Sequence, residues 1–140
     1  METAYLYLAL SGALTILLWT PYVLVRMFQL GFFGVLYGYA EGFPVREKTQ
    51  PDWAVRAKRA HLNMVETLPA FVAVVLAAGM TLEPASDAAS SVALWAQLFF
   101  YSRIAHAIVY TLAVPYLRTP VYLLSWLAVL AIAWQAVMTI

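Results

Sequence analysis

The sequence predicts an all-α integral membrane protein, a bundle of four transmembrane helices in a single domain over residues 1–140. Three observations carry this. Of its 140 residues, 64% are hydrophobic and 11% charged, and the mean hydropathy is +0.80. Soluble domains run near 45–50% apolar and about 25% charged. The apolar residues fall into four long runs, each of at least the roughly 20 residues a membrane crossing needs or close to it. The runs are parted by short polar or proline-bounded segments. A net charge of +1 gives no electrostatic footprint for nucleic acid. With no cysteine, there is no disulfide framework and no cysteine nucleophile. Any thiol chemistry must use a thiol brought by a substrate or cofactor.

The first helix is expected over about residues 4–40, interrupted in polarity only by Arg26 and Gln29, with Pro21 as its kink point. It is too long for one untilted crossing and too short for two. No basic region precedes the apolar run, so it does not read as a cleavable signal peptide. EGFPVREKTQPD, ending at Asp52, reads as a loop. The second helix is expected over about residues 53–82, charged in its first half and apolar from Leu68 onward. EPASDAASS, from Glu83, is a turn of small and acidic residues. The third helix is expected over about residues 88–114, PYLRTP from Pro115 is a turn, and the fourth helix covers about 119–139.

Basic residues set the orientation. Arg46, Lys48, Arg56, Lys58 and Arg59 flank or occupy the first loop, Arg118 lies in the third, and the second has none. Loops one and three are therefore expected at the cytoplasmic face, most simply of a bacterial inner membrane, with both termini opposite.

Ionisable residues within a span are costly and usually face a bundle interior or a wet cavity. Two stripes stand out. Arg56, Arg59, Asn63 and Glu66 fall within about an 80° arc of the second helix. Arg103, His106 and Tyr110 share a face of the third. At 1.5 Å per residue, Arg59, Asn63 and Glu66 lie about 9, 15 and 20 Å from the loop side, and Tyr110, His106 and Arg103 about 6, 12 and 16 Å. Arg26 on the first helix comes out about 21 Å deep on the same scale. The two stripes predict one polar cavity with Arg118 at its mouth. An excess of guanidinium wants an anionic ligand, and Glu66 suits an ammonium on the same ligand. Simpler readings stand beside this one. Arg59, Asn63 and Glu66 can form an interhelical polar knot, Arg103 can pair with Glu66, and His106 can be a core histidine. Tyr110 can be an interfacial aromatic and Arg118 a topology determinant. His61, about 200° from Arg59, reads as an interfacial polar residue. Gly31, Gly34 and Gly38 read as close-packing positions. The two histidines, on different helices, do not make a metal site.

The segment RAHLNMVETLP from Arg59 resembles the signature of the MAPEG family (membrane-associated proteins in eicosanoid and glutathione metabolism), whose core is R-A-x-x-N-x-x-E. RIAHAIVY from Arg103 resembles its third-helix pattern, and LRTP from Leu117 its following turn. The likeness extends over the whole chain in span number and loop placement, and is nearest to the bacterial branch of unassigned function. It implies a homotrimer with glutathione held between neighbouring subunits near the cytoplasmic side. It implies that Arg59, Asn63 and Glu66 hold the peptide, with His106 and Tyr110 lining the site; the reading of the cavity's charge adds Arg103, Arg56 and Arg26 to the residues that bind the ligand. Arg118, with Tyr110, becomes the candidate for stabilising the thiolate. Leu62, Tyr122 and Leu123 depart from prostaglandin-synthase-type members, which carry arginine, arginine and serine there. The implied function is a glutathione-dependent transferase or peroxidase acting on lipophilic electrophiles from the membrane lipid, with no metal. The alternative is a non-catalytic subunit of a larger membrane complex. A small multidrug exporter needs a carboxylate within the first helix, and past Glu2 this one has none.

Overall fold

A computed structural model describes residues 1–31 and 50–139. The far part of the expected first helix, with Gly34 and Gly38, and the loop residues Arg46 and Lys48 lie outside the described residues. Every regular element described is helical: α1 (Glu2–Leu17), α2 (Thr20–Leu30), α3 (Asp52–Thr81), α4 (Asp87–Thr111) and α5 (Arg118–Val137). Together α1 and α2 make one span, and each of the other three makes its own. All four spans are long and apolar enough to cross a membrane.

The first span breaks at Leu18–Trp19, just before Pro21. Pro21 has no N–H to give the Leu17 carbonyl, so the ladder lapses there. Leu18 and Trp19 keep helical dihedrals and donate to Leu14 and Ile16 at 2.9 and 3.2 Å, so the chain continues within one span. Gly31 closes α2 at φ 75°, a conformation that favours glycine. Among the described residues a Cβ there would meet nothing within 4 Å, so the feature they show for Gly31 is its backbone conformation. Close approach belongs to Gly79 instead: its missing Cβ leaves room for the phenol of Tyr5, whose Cζ would lie 2.8 Å from that atom.

The start of α4 is capped by Ser86, whose hydroxyl accepts from the Ala89 amide at 3.1 Å, with Asp87 in the first turn facing the helix dipole. Its other end is a Schellman motif. Val114 N–H bonds the Val109 carbonyl at 3.0 Å and Ala113 N–H that of Tyr110 at 3.2 Å. Ala113 takes the left-handed position at φ 57° where glycine is usual, and Pro115 ends the helix.

The core lies around α4, which packs on α1, α3 and α5 and is the most buried span, with 39% of its apolar window enclosed against 6% for the first. Phe71 of α3 stacks on Phe99 of α4, centroids 3.8 Å apart and 10° from parallel. Ser125, Ala128, Ile132 and Ala136 form the inward stripe of α5. Lipid is as apolar as leucine, so van der Waals fit and interhelical hydrogen bonds, not expulsion of water, hold such helices together. The small residues on α5 allow that fit. Large apolar side chains such as Leu94, Trp126, Leu130 and Trp134 face outward, as a lipid-facing surface requires.

Candidate functional site

Below its apolar half, α3 turns a polar face toward α4 and α5. Arg59, Asn63 and Glu66 line a cleft of about 420 Å³ there, within the size of small-molecule sites, roughly 300–1,000 Å³. His106 and Tyr110 of α4 form its second wall, and Arg118, Thr119 and Tyr122 of α5 its third. The 3.6-residue period of α3 and α4 brings both stripes to one level.

Arg59, Glu66 and Arg118 are exposed to this space. Among the described residues none of the three makes an ion pair. The Arg118 guanidinium stacks over the Tyr110 ring, 4.3 Å from its centroid, a cation–π contact that leaves its N–H edge free. His106 is buried between Tyr110 and Tyr122, ring centroids 5.5 and 5.8 Å away, and among the described residues its Nδ1 has no hydrogen-bond partner. A buried polar atom without a partner costs about 1–3 kcal/mol. Among the described residues the cleft therefore carries two guanidiniums and one carboxylate without an ion pair.

Arg103 does not enter the cleft. It is 1% exposed and lies behind Asn63. Its Nη2 donates to Asn63 Oδ1 at 2.9 Å, Nη1 to Ser125 Oγ at 3.4 Å and Nε to Met64 Sδ at 3.3 Å. The Tyr122 ring centroid is 5.7 Å from its Cζ. The pairing of Arg103 with Glu66 is thus replaced by one with Asn63. Asn63 lies one helical step nearer, while Glu66 turns to the open cleft. Arg103 ties α3, α4 and α5 together and fixes the Asn63 side chain.

Arg56 is diverted as well. Its Nε donates to the Thr111 carbonyl at 2.9 Å, satisfying the last carbonyl that the Schellman motif leaves open. A cation at a helix C-terminus is also favoured by the dipole. Arg26, half-buried on α2, does not line the cleft. His61 has a partner besides solvent: its Nδ1 is 2.7 Å from the Tyr22 hydroxyl, linking α3 to α2. Thr119 and Ser125 escaped the sequence reading, and Tyr122 entered it only as a departure. The signal for Ser125 was a small polar residue in an otherwise apolar helix.

The model of the MAPEG family matches residues 5–138. The chain belongs to the MAPEG family. No curated protein and no solved structure gives a significant match. The cleft of this MAPEG protein is built from the segments that carry the family likeness, RAHLNMVETLP on α3, RIAHAIVY on α4 and LRTP at the head of α5. Leu62 and Tyr122, two of the positions that depart from isomerase-type members, line it, while Leu123 is exposed on α5 outside it.

Proposed function

We propose that the cleft binds glutathione and presents its thiol to lipophilic electrophiles or hydroperoxides that arrive through the membrane. The observation that carries this is the set of groups in one cleft that make no ion pair among the described residues: Arg59, Arg118 and Glu66. Glutathione carries two carboxylates and one ammonium, the complement of two guanidiniums and one carboxylate. When bound, it supplies the nucleophilic thiol that a chain without cysteine lacks. Arg59 and Arg118 each offer a planar fork to a carboxylate. Glu66 accepts from the ammonium, and Asn63, held by Arg103, keeps its amide donors for the peptide. Tyr110 is positioned by the Arg118 guanidinium, which favours its phenol as a donor to a developing anion. A thiol beside a guanidinium ionises more readily, and the thiolate is the nucleophile. By family likeness the working form is a homotrimer in an inner membrane, loops one and three cytoplasmic. The weakly enclosed first span leaves surface for neighbouring subunits.

Isothermal titration of glutathione into the detergent-purified oligomer tests this, with Arg59→Ala and Glu66→Gln beside it. Micromolar to millimolar binding, weakened at least about tenfold in each variant, is expected from the loss of one charge-assisted contact. Full binding in both variants refutes the reading. A second reading, a non-catalytic subunit of a larger membrane complex, is favoured by Leu62 and Tyr122 in the cleft wall. It predicts no glutathione binding by a well-folded oligomer.

A further inference from the structure

A second compartment adjoins the cleft. Arg56, Tyr110, Ala113, Tyr116, Arg118 and Thr119 border a space of about 510 Å³. Tyr110, Arg118 and Thr119 border both spaces, so the stacked pair of Arg118 on Tyr110 is the partition between them. The new space lies at the end of the bundle, where α3 begins, α4 ends and α5 begins. Arg56 is about 6 Å along α3, and Arg118 is the first residue of α5. That is headgroup depth rather than acyl depth.

The wall opposite Arg56 is the turn after α4. Ala113 and Tyr116 have φ of 57° and 65°, a left-handed conformation that residues with a Cβ resist. Two such residues in one short turn mark a shape the surrounding structure imposes, and such strain clusters at functional sites. The turn throws Tyr116 outward, 93% exposed, with Leu112 and Leu117 exposed beside it. An aromatic with a polar tip flanked by leucines suits the boundary between lipid and water.

Inside, the compartment offers donors and positive charge. Among the described residues Arg56 commits only Nε, to the Thr111 carbonyl, and its terminal nitrogens have no partner. Among the described residues no carboxylate pairs with Arg56 or Arg118. The Arg118 and Thr119 amides open at the same end with no side-chain cap, Pro120 having no N–H to add, and the Thr119 hydroxyl stands beside them. Two guanidiniums and a hydroxyl brought together from two helices, beside a helix N-terminus, suit a phosphate. The apolar rim of Leu112, Tyr116 and Leu117 suits acyl chains.

We propose that this compartment binds the phosphate of an anionic membrane lipid, with Arg56 and Arg118 as its cationic ligands. The site shares Arg118 with the glutathione reading and is told apart from it by Arg56, which does not line the cleft.

Native mass spectrometry of the detergent-solubilised oligomer tests it, with dioctanoyl phosphatidylglycerol, dioctanoyl phosphatidylcholine and inorganic phosphate as separate probes. Phosphatidylglycerol is expected to bind about tenfold more tightly than phosphatidylcholine. Arg56→Gln keeps an N–H donor for the Thr111 carbonyl but removes the charge, and is expected to lose about tenfold. Arg56→Lys, which keeps the charge, is expected to stay within about threefold of the parent. Equal retention of the two lipids overturns the proposal, as does unchanged phosphatidylglycerol binding in Arg56→Gln. Equal loss in Arg56→Gln and Arg56→Lys also overturns it, since the broken helix cap would then be the cause. Binding of inorganic phosphate without binding of phosphatidylglycerol overturns the lipid as the source. Glutathione titration of the same samples is a separate readout, so either proposal can fail alone.

Discussion

Replacing Asn63 by alanine removes the one short bond to a fully enclosed guanidinium. Arg103 is 1% exposed, and its other contacts are weak: a 3.4 Å approach to Ser125 Oγ and a 3.3 Å approach to the thioether of Met64. Sulfur is a poor acceptor, and a hydroxyl bond of that length is near its limit. The 2.9 Å bond to Asn63 therefore carries most of the compensation for burying the charge. A hydrogen bond to a charged group is worth about 1.5–3 kcal/mol, while neutral interhelical bonds in membranes average about 0.6 kcal/mol. Asn63→Ala is expected to cost about 2 kcal/mol. In an Arg103→Met background, where no charge remains to satisfy, the same change is expected to cost about 0.5 kcal/mol or less. The assay is reversible unfolding in mixed micelles, followed by the fluorescence of the five tryptophans, for the parent and the three variants. A coupling of about 1.5 kcal/mol supports the reasoning. Additivity within about 0.5 kcal/mol refutes it and returns Asn63 to the cleft as a ligand residue alone.

Three further outcomes follow from single contacts. Ala113→Gly relieves the left-handed strain of the Schellman position and is expected to stabilise the protein by about 0.5–1 kcal/mol in the same assay, where no gain counts against the strain. Tyr22→Phe removes the 2.7 Å bond to His61 at a cost of about 1 kcal/mol; hydrogen exchange should quicken in α2 and stay unchanged in α4, and uniform quickening would contradict a local link. Gly79→Ala drives a methyl into the Tyr5 phenol and is expected to cost about 1–2 kcal/mol, most of it recovered in a Tyr5→Leu background, and a penalty indifferent to residue 5 would rule out this contact as its cause.

The four spans were legible because apolar runs and short breakers are one-dimensional signals. The cleft was legible because residues 59, 63 and 66, like 106 and 110, repeat with the helical period, so each set shares a face whatever packs against it. What the pattern could not carry was the choice of partner. Arg56 finds its acceptor 55 positions away, at a carbonyl exposed only because α4 ends where it does. His61 meets Tyr22 across 39 positions, through a span interrupted at a place that Pro21 marks only approximately. Arg103 and His106 lie three residues apart and look alike as polar intrusions, yet one is enclosed behind Asn63 and the other lines the cleft. That difference depends on Ser125, Met64 and Tyr122, whose own patterns carry no charge to notice.

The enclosed arginine bears on how the chain enters the bilayer at all. The span that carries Arg103 and His106 is the least apolar of the four. An arginine near the centre of an isolated helix costs about 2.5–3.5 kcal/mol on insertion. The groups that offset this cost belong to its neighbours, Asn63 on the preceding span and Ser125 on the following one. During synthesis the third segment therefore reaches the lipid with its Asn63 partner already present and the weaker Ser125 contact still to come. It is held by the earlier hairpin and locked when the last segment arrives, so the polar contacts that shape the cleft also set the order in which the membrane accepts the chain.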